Sequence, residues 1–148
     1  MKLLFSMLPV VLLCGLVACG EEETEDTVDN TGHAAHSGYG SHGGELLELG
    51  STGHLEVCHS ASTGEVKIYI TGADAKTVLA IAGAPVLKVP QVPTALMLTM
   101  KATNTADGKA SEFVVTNDAL KVDHLHGRIS LKVGDLTFNP DLASGHGH

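Results

Sequence analysis

Glu65-Val66-Lys67-Ile68-Tyr69-Ile70 is the stretch that decides the fold. Val66, Ile68 and Ile70 occupy every second position with Lys67 and Tyr69 between them, so an extended chain would carry one apolar and one polar face. A helix would scatter the same three residues around its circumference. The rhythm returns in Leu96-Met97-Leu98-Thr99-Met100-Lys101, with Leu96, Leu98 and Met100 inward, and in Arg128-Ile129-Ser130-Leu131-Lys132-Val133. Shorter candidates are Glu45 to Leu49, His54 to His59, Val78 to Ile81, Val86 to Val89, Glu112 to Val115 and Leu136 to Phe138. Turn formers separate them: Gly50-Ser51-Thr52-Gly53, Ser62-Thr63-Gly64 and Asp107-Gly108. Gly134-Asp135 predicts a tight hairpin of the primed type. Pro85, Pro90 and Pro93 rule out a long central strand in the middle of the chain. Asn117 to Val122 predicts one helical turn capped by Asp118. The expected fold is all-β: one small β-sandwich or open barrel of about seven to nine short strands.

The N-terminus is a different kind of sequence. Lys2 precedes an apolar run from Leu3 to Val17, which is too short to cross a bilayer core of about 30 Å comfortably. The run closes on Leu16-Val17-Ala18-Cys19, which resembles a bacterial lipobox, the site of cysteine lipidation and of cleavage just before it. That resemblance implies a signal peptide over residues 1–18 and a mature chain beginning at lipidated Cys19. Two or three acyl chains would anchor the protein stably to a membrane. Gly20, a non-aspartate after the cysteine, points by the same resemblance to the outer membrane of a Gram-negative envelope, on its periplasmic or surface face.

Residues 19–41 read as a tether. Glu21, Glu22, Glu23, Glu25, Asp26 and Asp29 lead into a Gly, Ser and His stretch with almost nothing apolar to bury, so disorder is expected there. Residues 42–142 are the right length for one small domain, and 143–148 form a Gly/His tail expected to be flexible. Without Lys2, eight Lys and Arg face seventeen Asp and Glu, a net charge of −9. Such a surface argues against nucleic acid as a partner and mildly for cations. Of three cysteines, Cys14 would leave with the leader and Cys19 would be acylated, so Cys58 has no intramolecular partner. A lone thiol in an oxidising envelope is buried, a metal ligand or an intermolecular partner, and burial is the default.

The chain's chemistry lies in its nine histidines, since neutral imidazole is the commonest protein ligand for Zn, Cu and Ni. His146 and His148 stand in a Gly-His-Gly-His setting that is poorly selective by itself. In Asp123-His124-Leu125-His126, an extended backbone would place both imidazoles on one face, where their rings could converge on an ion. The bland alternative is two solvated histidines at a strand start. On a strand beginning near residue 54, His54, Glu56 and Cys58 would share one face and Leu55, Val57 and His59 the other. The first three make a mixed N/O/S ligand set suited to zinc or copper, or else one face is core and His54 is exposed.

The run His42-Gly43-Gly44-Glu45-Leu46-Leu47-Glu48-Leu49-Gly50, then His54-Leu55-Glu56-Val57, Gly64-Glu65-Val66-Lys67-Ile68-Tyr69-Ile70 and Asp74-Ala75-Lys76, resembles a small envelope domain. Similar segments occur in bacterial lipoproteins and near the N-termini of periplasmic adaptors of heavy-metal efflux systems. The resemblance covers about Gly40 to Lys76. It implies an all-β domain and singles out His42, His54 and Glu56, while Cys58-His59 lies outside its pattern.

The sequence carries no phosphate-binding glycine loop, nucleophile elbow or heptad, and no enzymatic activity is expected. Two functions remain. One is a lipid-anchored envelope protein binding Zn, Cu or Ni for sequestration, buffering or hand-over to efflux, with His42, His54, Glu56, Cys58, His59, His124 and His126 as candidate ligands. The other is an envelope interaction or structural module with incidental histidines. Either implies a membrane and a second envelope protein as partners, and leaves the oligomeric state open.

Overall fold

The computed structural model describes residues 38–142; the leader, Cys19, most of the tether and the tail lie outside these residues. Within them the chain is all-β, with two five-stranded antiparallel sheets that do not close into a barrel. The strands are β1 Glu45–Glu48, β2 Gly53–Ser60, β3 Glu65–Gly72, β4 Val86–Val89, β5 Leu96–Thr99, β6 Lys101–Ala102, β7 Glu112–Thr116, β8 Gly127–Val133, β9 Leu136–Phe138 and β10 Asp141–Leu142. The first sheet has the order β1-β2-β3-β7-β6. The second runs β10-β8-β4-β5, with β9 also on β8.

Alternation works as expected. Val66, Ile68 and Ile70 of β3 are buried, as are Leu55 and Val57 of β2, which lie across from Ile70 and Ile68. Leu87, Ile129 and Leu131 fill the core from the second sheet. Fully burying such a side chain contributes about 1.5–3 kcal/mol, so these stripes dominate the driving force for folding.

Four expectations need correction. Leu96 to Lys101 is not one strand: the chain leaves the second sheet after Thr99 and enters the first at Lys101, with Met100 buried at the crossing. Val78 to Ile81 makes only isolated bridges, Thr71↔Val78 and Ile81↔Ala110, because it crosses between two neighbours instead of following one. The helical turn is a 3₁₀ turn, Asp118–Leu120, and its cap is Asn117, whose Oδ1 accepts from the Ala119 N–H at 2.9 Å. Asp118 instead pairs with Lys121 Nζ at 2.7 Å. Finally, ordered contacts begin before residue 42: the Gly38 carbonyl accepts from Leu46 N–H at 3.0 Å, and Tyr39 bridges to Glu45.

β9 and β10 share one continuous register on β8, from Leu136↔Val133 to Leu142↔Gly127. They are one edge strand interrupted at Asn139-Pro140, and the Pro140 carbonyl still accepts from Ile129 N–H at 3.1 Å. Gly134 takes φ 60° at the hairpin tip, as a primed turn requires.

Candidate functional site

Two histidine regions emerge, and they are built differently. The first lies on the outer face of the first sheet. Glu56 sits on β2 between core-facing Leu55 and Val57, so its side chain points away from the core, yet it is only 2% exposed. The segment 40–44 lies over it. His42 N–H donates to Glu56 Oε1 at 2.6 Å and Gly44 N–H to the same oxygen at 3.0 Å. His42 Nδ1–H donates to Oε2 at 2.9 Å, with Ser41 Oγ at 3.5 Å. Burial pushes the carboxyl up, but the bonds from the His42 ring and from the Gly44 and His42 amides outweigh it and hold Glu56 below the usual range.

The glycines explain how this segment fits. A Cβ at Gly40 would collide with the Glu56 carboxyl, and one at Gly44 would lie 2.5 Å from the Val57 carbonyl oxygen and 2.7 Å from Cys58 Sγ. Gly43 takes φ 79° between them. Tyr69, across from Glu56 on β3, receives the His42 ring in parallel stacking at 3.6 Å between centroids. Lys67 Nζ stands 4.9 Å from the centroid of the Tyr69 ring. The His-Gly-Gly and His-x-Glu elements therefore meet as a latch, with Glu56 at its centre.

The remaining candidates on β2 do not join it into a ligand set. His54 Nδ1 bonds the Gly72 carbonyl at 3.2 Å. His59 lies on the opposite face, where its Nε2–H donates to the Leu120 carbonyl at 2.7 Å and ties β2 to the 3₁₀ turn. Cys58 is half-buried on the outer face, not in the core, and its thiol donates to the His42 carbonyl at 3.8 Å. Burial and the neighbouring Glu56 charge push that thiol up against the opposing effect of Lys67, keeping it protonated and a poor nucleophile. Asp74, also in the resemblance pattern, closes a turn: it accepts from Thr77 Oγ1 at 2.6 Å, Thr77 N–H at 2.8 Å and Lys76 N–H at 3.0 Å. The Thr77 bonds draw its carboxyl down to about 2.

The second region is the segment before β8. Asp123-His124-Leu125-His126 is not a strand start but a bend between the 3₁₀ turn and Gly127. The inside-outside alternation survives without ladder pairing among the described residues, with Leu125 buried and His124 and His126 exposed. Both histidines line one open cleft of about 370 Å³, together with Val89, Pro90 and Gln91. Among the described residues neither ring has a hydrogen-bonding partner, in contrast with His42, His54 and His59. Asp123 is exposed and does not line the cleft.

Among the described residues, no three His, Cys, Asp or Glu side chains group as a metal-ligand set. No protein-family model, curated protein or solved structure matches this chain. Sequence reasoning named the five histidines that lie among the described residues but missed Tyr69 and Gly40 as parts of the Glu56 latch. Three glycines within five residues around His42 were the available signal.

Proposed function

We propose that this chain is a lipid-anchored protein of the bacterial envelope, held at the outer membrane by acyl chains on Cys19, which binds Zn, Cu or Ni without catalysis. Sequestration, buffering or hand-over to an efflux partner are the roles such binding serves. The seat we assign to the metal is the His124/His126 cleft, not the His42/His54/Glu56 group. The observation that carries this reading is that two exposed imidazoles line one cleft with their ring nitrogens unengaged among the described residues. Glu56, by contrast, already accepts two backbone and one ring N–H bond. To coordinate a metal it would have to release donors buried beside it, at about 1–3 kcal/mol for each one left unsatisfied.

Calorimetric titration of Zn²⁺, Cu²⁺ and Ni²⁺ into the mature chain in detergent tests the reading. Stoichiometric submicromolar binding, weakened by lower pH as the ligands protonate, is the expected result. Heats no larger than those of dilution for all three ions would sink it.

A second reading is an interaction module whose histidines are incidental. It is favoured by the Glu56 latch, which accounts for His42, Glu56 and their glycines as packing alone. Capture of an envelope partner by the mature chain with metal chelated away, undiminished in H124N/H126N, would establish it.

A further inference from the structure

One row of side chains crosses the whole outer face of the second sheet. Asp141 of β10 lies across from Arg128 of β8, Arg128 across from Lys88 of β4, and Lys88 across from Met97 of β5. Residues directly across a ladder share a face; all four are exposed, while their neighbours Leu87, Val89 and Ile129 are buried. Ion pairing satisfies only one end of the row. Arg128 Nε–H donates to Asp141 Oδ1 at 2.8 Å and its Nη2–H to Oδ2 at 3.1 Å. That fork orients the guanidinium and leaves three of its five N–H donors without a partner among the described residues. Lys88 makes no ion pair among the described residues. Like charges directly opposite in a sheet repel, so Lys88 beside Arg128 costs stability unless an anion lies between them. The chain has seventeen Asp and Glu, yet the residue on the far side of Lys88 is Met97. Lys88, Arg128 and Asp141 line one open cleft of about 390 Å³, together with Pro90, Gln91 and Ala95. Two cations and one carboxylate leave it with a single net positive charge.

We propose that this cleft binds a small ligand through one singly charged oxygen anion, a carboxylate or a phosphodiester, held between the Lys88 ammonium and the remaining donors of Arg128. A guanidinium fork matches the oxygen spacing of either group. The charge balance selects between ions: one negative charge neutralises the cleft, whereas a doubly charged phosphate leaves an excess beside Asp141. Asp141 is the positioning residue, since it holds the guanidinium without meeting the anion. Pro90 and Ala95 offer apolar wall to the body of the ligand, and the Gln91 amide supplies a neutral hydrogen-bonding group. Lys132 is the contrast, an exposed cation on the same face of β8 that does not line the cleft. Pro90 and Gln91 also border the His124/His126 cleft, but no metal takes part here, so this site stands apart from the metal-binding reading.

The test is an NMR titration of the mature chain in detergent, freed of metal on a chelating resin, with ionic strength held constant by sodium chloride. Acetate and dimethyl phosphate are the probes, and inorganic phosphate is the comparison. The expected result is a saturable shift of the Lys88, Gln91 and Arg128 amides with at least one of the two probes. The probe that saturates at the lower concentration names the group. K88Q should weaken that binding about tenfold, the loss of one charge-assisted contact. K132Q removes the same charge from the same face outside the cleft and should leave binding unchanged. Both side chains are exposed, so each variant should keep the wild-type spectrum elsewhere. Shifts that never saturate, or equal losses in K88Q and K132Q, would reduce the effect to general surface charge and overturn the proposal. Tighter binding of inorganic phosphate than of either probe would overturn it too. None of these results bears on metal binding.

Discussion

The Glu56 latch and the His124/His126 cleft both contain histidines that the sequence marks as ligand candidates, yet they use them in opposite ways. On the first sheet a buried carboxylate gathers donors from one short segment, and a ring stacks on Tyr69 to seal it. In the bend that precedes β8, two imidazoles line an open cleft. Motif spacing points most strongly to the first region, while the chemistry left available to a ligand is at the second. A motif rich in ligand-type residues can be a folding device, and donor accounting separates the two cases.

The largest effect that could break this contrast comes from Glu56→Ala. Removing the carboxylate leaves the His42 and Gly44 amides without their acceptor inside a closed segment, and should lower stability by about 3 kcal/mol. Denaturant midpoints measure the loss, and hydrogen exchange should show it concentrated at residues 40–44. A loss under about 0.5 kcal/mol would mean that the latch contributes little.

Gly40→Ala is the next test. Its new methyl would enter the space of the Glu56 carboxyl, at a cost of about 1–3 kcal/mol for overpacking. Because both substitutions act on one contact, their effects in combination should fall short of additivity.

A smaller, pH-dependent effect sharpens the electrostatic side. Glu56 is held below its ordinary value when folded, so its contribution is fully present above the unfolded carboxyl value of about 4.3. It is lost as pH falls through the lower folded value. Stability measured from pH 6 downward should therefore decline more steeply in wild type than in Glu56→Gln. Parallel curves would remove Glu56 as a source of acid sensitivity.

The smallest expected change is at the other region. His124→Asn with His126→Asn should shift metal-free stability by no more than about 0.5 kcal/mol, since both side chains are exposed. A larger loss would show that these rings hold the bend in place.

Much of this fold is legible in the sequence because period-2 alternation reports the buried face directly: Val66, Ile68 and Ile70 could face only one way. The sheet change at Met100 is not legible, since a crossing chain keeps the same alternation on both sides. β10 escapes notice because two residues after Pro140 carry no rhythm, and only the register of β9 shows that they continue it. Glu56 is the instructive case. In an alternating strand a carboxylate reads as a solvent-facing position, and its burial comes from a separate segment twelve to sixteen residues earlier. Asp123-His124-Leu125-His126 taught the reverse, because its side chains alternate as a strand's would while its backbone joins no strand among the described residues.

The most direct test of the contrast is to follow the ring signals of all the histidines in the mature chain by NMR while substoichiometric Cu²⁺ is added. Paramagnetic broadening that appears first at His124 and His126, with His42 and His54 still sharp, is the predicted result. Broadening that begins at His42 and His54 and spares the cleft would place the metal at the Glu56 latch and contradict the account.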